Sequence, residues 1–185
     1  MIYFVRHGLT DWNENISSTG EKIPKCQGRA DIPLNENGIN QAKTLCEKLK
    51  NINFSIAYCS PLKRTKQTLQ YLLDKEIPII YEEKIIERDF GEFEGLMPTQ
   101  FDIESFWNEN IDQHYIKAET LQQVKNRIYN FLDELKQKYK KEENILVVSH
   151  GGISCFFVSY FKGNPPNGNY RSYILKNGEI AKFDL

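Results

Sequence analysis

The sequence predicts an α/β fold: a three-layer α/β/α sandwich with a mostly parallel central sheet and a small cap or lid made by the 8–34 and 88–118 loops. Three observations lead there. Short apolar runs at 1–5, 54–59, 77–81 and 144–148 alternate with stretches of helical period, the pattern of a parallel sheet covered on both faces. The run Asn144-Ile145-Leu146-Val147-Val148 is apolar without alternation, as a strand buried on both sides must be. Residues 8–34 and 88–118 show neither period, and loops that long are often functional.

Taken in order, residues 1–5 form a buried strand. A helix follows over 36–50, capped by Asn35, with Ile39, Ala42, Leu45, Cys46 and Leu49 on one face. Residues 54–59 give a second strand. Ser60-Pro61 then opens a helix over 61–74, because serine is a favoured cap and proline a favoured first helical residue. A short third strand spans 77–81. The 88–118 stretch is irregular, aromatic and acidic, as befits a cap. Thr120 and Gln123 have capping-box spacing. Leu121, Val124, Ile128, Phe131, Leu132, Leu135 and Tyr139 carry a helical stripe onward, and 138–143 is its charged end. After the strand at 144–148, Gly151 starts another helix. Residues 172–184 fit two edge strands joined by a turn at Asn177-Gly178. With no repeats and no long linker, the 185 residues read as a single domain, 1–185, long enough to bury its own core.

Net charge is −1, so no global field marks nucleic acid or a membrane as a partner. The apolar start is too short for a signal peptide and is interrupted at once by Arg6, so secretion is not expected, and no run approaches the ~18 apolar residues of a membrane span. The four cysteines, Cys26, Cys46, Cys59 and Cys155, have neither CxxC nor zinc-ligand spacing and read as reduced, mostly buried thiols. The expected location is cytoplasmic. Six of the 24 basic residues are arginine, so each planar fork, suited to phosphate and carboxylate, merits notice.

Open α/β sheets bind ligands beyond the carboxyl ends of their strands. Here those ends carry one kind of chemistry: Arg6-His7-Gly8 after the first, Ser60 with Arg64 one turn later after the second, and Ser149-His150-Gly151-Gly152 after the fourth. Adjacent strands would converge two Arg, two His and two helix N-termini on one point, a pocket for a tetrahedral dianion. One histidine would be neutral, as nucleophile; the other would stay protonated as a cationic donor. Glu87, after Ile85-Ile86, is the best-placed acid.

These residues carry a family resemblance. Val5-Arg6-His7-Gly8-Leu9-Thr10-Asp11-Trp12-Asn13 resembles the signature of the histidine phosphatase superfamily, the phosphoglycerate-mutase-like enzymes. Gln27-Gly28-Arg29-Ala30-Asp31-Ile32-Pro33-Leu34, with Gly38 and Gln41-Ala42, resembles its second block, and Ser60 to Thr68 its third. Glu87 to Gly95 resembles the acid-bearing block and Val147 to Gly152 the last. Five blocks in the family's order are far more specific than one RHG triplet. The resemblance implies that His7 is the nucleophile and forms a phosphohistidine. It implies that Arg6, Arg64 and His150 bind the phosphoryl group, and that Glu87 is general acid and then base. Thr10, Asn13, Gln27, Gly28 and Gly151 are its substrate-binding candidates. It implies no cofactor and no metal, with a small phosphorylated metabolite as partner; the sequence leaves monomer and homodimer both open. Two departures stand out: the loop between Asn13 and Gln27 is longer than the family's compact version, and Leu9 replaces a frequent glutamate.

A His/His/Glu metal site is opposed by Arg6 and Arg64, which repel a cation. His114 reads as surface, Glu94 as a structural or rim carboxylate, and Arg127 and Arg171 as structural. Arg29 is the outlying arginine most suited to overhang the site. Phe90, Phe93, Phe101, Phe106 and Trp107 read as cap core first and substrate wall second. The true mutases that the chain resembles carry a large insertion after the acid block, with Arg-Arg and Pro-Pro; here Gly95 to Glu119 is short and has one basic residue, Lys117. The expected function is therefore hydrolysis of a small phosphomonoester (alpha-ribazole-5′-phosphate, a phosphosugar or phosphoserine), with a phosphoglycerate-type mutase and a non-catalytic phospholigand-binding protein as alternatives.

Overall fold

The computed structural model describes residues 1–111 and 115–185. The surface position expected for His114 lies outside the described residues. Strands β1 (Ile2–Arg6), β2 (Ile56–Cys59), β3 (Ile79–Tyr81), β4 (Ile145–Ser149) and β5 (Ile180–Phe183) form one sheet in the order β3-β2-β4-β1-β5. The pairs β3·β2, β2·β4 and β4·β1 are parallel, and β5 closes the far edge antiparallel to β1. The carboxyl ends of four strands therefore share one side of the sheet.

Alternation along these strands divides the core in two. Ile2, Phe4, Tyr58, Ile145 and Val147 face α4 (Leu121–Lys138) and α5 (Gly151–Lys162), and pack on Val124, Ile128, Phe131, Phe156 and Phe157. Tyr3, Val5, Ala57, Cys59, Leu146 and Val148 face the other way, against α1 (Glu36–Leu49) and α2 (Lys63–Leu72), with Leu45, Leu49, Leu69 and Leu72. These are the three layers expected. Every residue of β2 and β4 is buried, which accounts for their unbroken apolar character.

Local signals mostly act as the sequence suggests. The Asn35 side chain accepts from the Gly38 N–H at 2.9 Å and caps α1. Thr120 and Gln123 form a reciprocal capping box on α4. Among the described residues no helix is long and apolar enough to cross a membrane. All four cysteines are free, and Cys26, Cys59 and Cys155 are buried.

Two expectations are corrected. Helix α2 begins at Lys63 with Leu62 at its cap and no side-chain cap bond, because the Ser60 hydroxyl is taken by His150 instead. The segment 172–176 is not a strand. Its start belongs to a 3-10 turn at Tyr170–Tyr173, and Leu175 is then held through its N–H by Ser154 Oγ and through its carbonyl by Arg6. The turn at Asn177-Gly178 is present, with Gly178 in the left-handed region at φ +70°.

The cap comprises two further 3-10 turns, Gly91–Phe93 and Pro98–Gln100, and the short α3 (Ile103–Phe106) around an aromatic cluster. Phe93 stacks on Phe101 at 4.3 Å, and Phe106 meets both edge-on. Arg88 joins cap to sheet: its guanidinium lies 3.6 Å from the Phe106 ring centroid and donates to the carbonyls of Phe106 and Glu119. The long 14–26 loop is fastened at its base, where the Glu14 carboxylate takes Lys22, Asn35 and Asn37 side chains.

The N-terminus of α1 packs backbone to backbone against the strand-end loop. A Cβ on Gly38 would fall 2.1 Å from the Leu9 carbonyl oxygen. Alanine is the better helix former by ~1 kcal/mol, yet this collision should cost about 1–3 kcal/mol. Gly38→Ala is therefore expected to be net destabilising, measured as a lower urea midpoint with an unchanged slope.

Candidate active site

The parallel register sets the site. Arg6 pairs with Ser149 across β1·β4, and the His7 N–H continues the ladder to the Ser149 carbonyl at 3.0 Å. The Ser60 N–H bonds the Val148 carbonyl at 3.0 Å. Three strand ends thereby bring His7, His150 and Ser60 together, with the two imidazole centroids 5.3 Å apart.

Arg64, from the first turn of α2, lies fully buried between the histidines. Its Nε–H is shared by His7 Nε2 and His150 Nδ1, each at 3.2 Å. Its two terminal nitrogens donate to the carbonyls of Ala30 and Gly28 at 2.8 and 2.7 Å. These partners assign the tautomers. His7 donates from Nδ1 to the Gly8 carbonyl at 2.7 Å, leaving a lone pair on Nε2. His150 accepts on Nδ1 and so donates from Nε2 to Ser60 Oγ at 2.7 Å. Burial first, then the charges of Arg64 and Arg6, hold His7 well below the usual histidine range. Burial first, then Arg64, His7 and Arg6, does the same to His150. The expectation of a protonated second histidine is thus corrected: in the free protein both rings are neutral.

Glu87 enters from the segment after β3. The Ser149 hydroxyl fixes that segment by donating to the Ile85 carbonyl at 2.7 Å. The carboxyl accepts the Arg88 N–H at 2.9 Å and the Gly152 N–H, in the first turn of α5, at 3.0 Å. Burial nonetheless raises its pKa, against those two N–H groups and the nearby Arg64 and Arg6. A Cβ on Gly152 would meet Glu87 Oε1 at 2.4 Å, so only glycine allows this approach.

Arg6, His7, Asn13, Gln27, Glu87, Gly151 and Gly152 line one cavity of about 290 Å³, close to the lower end of the range of small-molecule sites. Arg64 and His150 lie behind His7. Thr10 and Gly28 do not line the cavity. The Thr10 hydroxyl sits 3.0 Å from Asn13 Oδ1 and 2.9 Å from Gln27 Oε1, and Gly28 holds Arg64 through its carbonyl. Among the described residues, Arg6 Nε and Gln27 Nε2 are buried donors without a hydrogen-bond partner.

Of the other arginines, Arg29 turns away from the cavity to Asp89, Glu119 and the Glu87 carbonyl. Arg127 forks onto Glu119 and the carbonyls of Lys84 and Ile86. Glu94 is structural, accepting the N–H groups of Gly28 and Arg29. Phe90 and Trp107 do reach the cavity wall. Sequence reasoning missed Asn177, whose amide donates to the His7 carbonyl and to Asn13 Oδ1, both at 3.2 Å. It also missed Arg171, which lines the cavity. The turn signal at Asn177-Gly178 was visible, but nothing in it says that the turn folds back on His7.

Fold and site define an α/β protein with a cationic, neutral-histidine cradle at its strand ends. The family model of the histidine phosphatase superfamily (branch 1) matches residues 2–185, and the chain belongs to that family. It is 34% identical to the uncharacterized phosphatase PhoE of Bacillus subtilis, over 100% of this chain and 88% of that one. It is 29% identical to the 2,3-bisphosphoglycerate-dependent phosphoglycerate mutase of Buchnera aphidicola, over 100% and 93%. Its structure superposes on the alpha-ribazole phosphatase of Shigella flexneri with a TM-score of 0.76 and 28% identity, covering 97% of this chain and 87% of that one. Phosphatase and mutase relatives thus share the same frame.

The buried neutral histidines couple stability to pH. Unfolded histidine binds a proton below about pH 6.5. Folded His7 and His150 do not until the pH is far lower, so stability falls as pH drops below that value. Two such groups contribute up to about 2.7 kcal/mol per pH unit. Glu87 has the opposite sign: its raised pKa weakens the fold as pH rises from the ordinary carboxylate range to the raised value. Urea unfolding in phosphate-free buffers should show the histidine slope, and His150→Gln should remove about half of it.

Proposed function

We propose that the protein is a phosphatase hydrolysing a small phosphomonoester through a phosphohistidine on His7, without a metal ion. One observation carries this reading: the Nδ1–H bond to Gly8 leaves the His7 lone pair on Nε2, where it meets the Arg64 Nε–H that it shares with His150, and His7 lines the cavity beside Arg6 with the Arg64 charge directly behind it. In the first step Nε2 attacks phosphorus, the ester P–O bond breaks, and the Glu87 carboxyl protonates the departing oxygen. The alcohol leaves, with phosphohistidine and the Glu87 carboxylate remaining. In the second step Glu87 takes a proton from water, the water oxygen attacks phosphorus and the N–P bond breaks. Phosphate departs and His7 is neutral again.

Arg6 and Arg64 offset the charge on the non-bridging oxygens. A bound dianion favours the charged form of His150, so a ring neutral in the free protein becomes a third cationic donor. The raised pKa of Glu87 suits an acid that must hold its proton near neutrality. Free thiols suit a cytoplasmic enzyme. Hydrolysis is favoured over mutase chemistry because Gly95 to Glu119 has only Lys117 as a basic residue and lacks the paired arginines that would hold a second substrate. Likeness to an alpha-ribazole phosphatase puts ribazole phosphate among the candidate substrates, beside phosphosugars and phosphoserine.

Phosphate release across a panel of phosphomonoesters, in EDTA and beside His7→Ala, tests the reading. Turnover that survives EDTA and is lost in the variant, together with loss of radiolabel from the quenched protein, is the expected result. Interconversion of phosphoglycerates without release would replace it with the mutase reading, and bound phosphate without turnover with a binding protein. Glu87→Gln should cost about 10²–10⁴ on alkyl phosphates and far less on p-nitrophenyl phosphate, whose leaving group needs no proton. The pH profile of kcat/KM should fall on the acid side only well below the usual histidine range, since His7 must be neutral. Its alkaline limb should lie above the usual carboxylate range, since Glu87 must be protonated.

A further inference from the structure

The cavity has three zones. Buried His7 and Glu87, with half-buried Arg6, form its floor, Phe90, Trp107 and Ile174 give it apolar walls, and half-buried Lys25 and exposed Arg171 line its outer side. We propose that Arg171 and Lys25 form a second anion subsite at this mouth, selecting phosphomonoesters whose alcohol part carries a carboxylate or a further phosphate. The proposal rests on the phosphatase reading of His7 and adds to it the class of leaving group.

Arg171 is not a loose surface side chain. It sits in the 3-10 turn Tyr170–Tyr173, where its N–H bonds the capping Asn169 side chain at 2.9 Å. Its neighbour Tyr170 is fully buried against Phe156, and the Tyr170 N–H bonds the Trp107 carbonyl at 2.9 Å. The guanidinium is braced by Glu104, which also accepts from Asn169 at 2.6 Å. Lys25 ends the long 14–26 loop, with its N–H on the Trp12 carbonyl at 2.8 Å. Among the described residues its ammonium has no carboxylate partner; it lies 5.8 Å from the Trp12 ring centroid. The mouth therefore holds two cations against one carboxylate, and that carboxylate is 63% exposed, where water screens its hold on Arg171. A substrate anion arriving from the apolar middle can bond the same guanidinium by its planar fork. A neutral alcohol part gains nothing there.

Matched substrates isolate the effect: phosphoserine against phosphoethanolamine, 3-phosphoglycerate against glycerol 3-phosphate, and fructose 1,6-bisphosphate against fructose 6-phosphate. The first two pairs read a carboxylate and the third a phosphate. In the unmodified protein kcat/KM should favour the anionic member of a pair by about 10-fold or more, the worth of a charge-assisted hydrogen bond. Arg171→Gln should collapse that ratio and Lys25→Gln should lower it, mainly through KM. Glu104→Gln should raise it, because it frees Arg171. A structural ion pair would instead make Arg171→Gln and Glu104→Gln act alike, and general damage cancels in the ratio. A ratio near one, or the two variants moving it the same way, overturns the subsite. Silence on every substrate, p-nitrophenyl phosphate included, overturns the phosphatase reading itself; turnover of p-nitrophenyl phosphate without preference overturns the subsite alone.

Discussion

The guanidinium of Arg64 organises everything around it. Burying a charge is expensive unless it is well bonded. Here the partners are neutral: two backbone carbonyls, Gly28 and Ala30, and two imidazole nitrogens. The difference matters. A carboxylate in contact would cancel the positive potential, whereas carbonyls and imidazoles satisfy the N–H groups and leave the charge in place. Burial first, and then this same potential, keep both histidines neutral, and a neutral imidazole is the form that can attack phosphorus. One buried cation thus bears on both the proposed nucleophile and the electrostatics that an incoming anion would meet.

The rest of the fold serves that arrangement at some cost in stability. Glu87 is held in a dry site where its charged form is disfavoured, and Gly152 gives up a side chain so that its N–H can reach the carboxyl. Arg6 Nε and Gln27 Nε2 are left as unpaired buried donors, each a local penalty of about 1–3 kcal/mol. Such violations are tolerable because the sheet beneath is close to ideal: β2 and β4 are buried along their whole length, and both faces have continuous apolar cores. Violations that gather at one end of an otherwise consistent structure mark that end as functional.

The phosphoryl end of the site was legible in the sequence because strand ends in a parallel sheet share an edge. Once the apolar runs were placed, Arg6-His7, Ser60 with Arg64, and His150-Gly151 had to converge. Legibility failed where long-range contacts overrode local rules. Ser60-Pro61 has the chemistry of a helix cap, but His150 offers the Ser60 hydroxyl a buried donor at 2.7 Å, and the helix starts two residues later. Residues 172–176 have the composition of an edge strand, but Arg6 and Ser154 claim the polar backbone of Leu175. Arg171 and Asn177 were invisible as site residues for the same reason: their place is set by a return of the chain from the far edge of the sheet, which no local pattern encodes.

This division separates chemistry from specificity. Of the residues proposed to contact the phosphoryl group, Arg6, His7 and His150 lie at the ends of central strands, whose register cannot shift by one position without moving every side chain into the opposite core layer. Residues at the mouth come from the 14–26 loop, the cap and the C-terminal return, elements joined to the sheet by a few bonds such as Arg88 to Phe106 and Glu119. Those can be rebuilt without disturbing Arg64 and its two histidines. A frame of this kind keeps its strand-end residues while the opening changes, and so, on the reading proposed above, the motifs announce the phosphoryl chemistry while the leaving group is read from side chains such as Lys25 and Arg171 that line the opening.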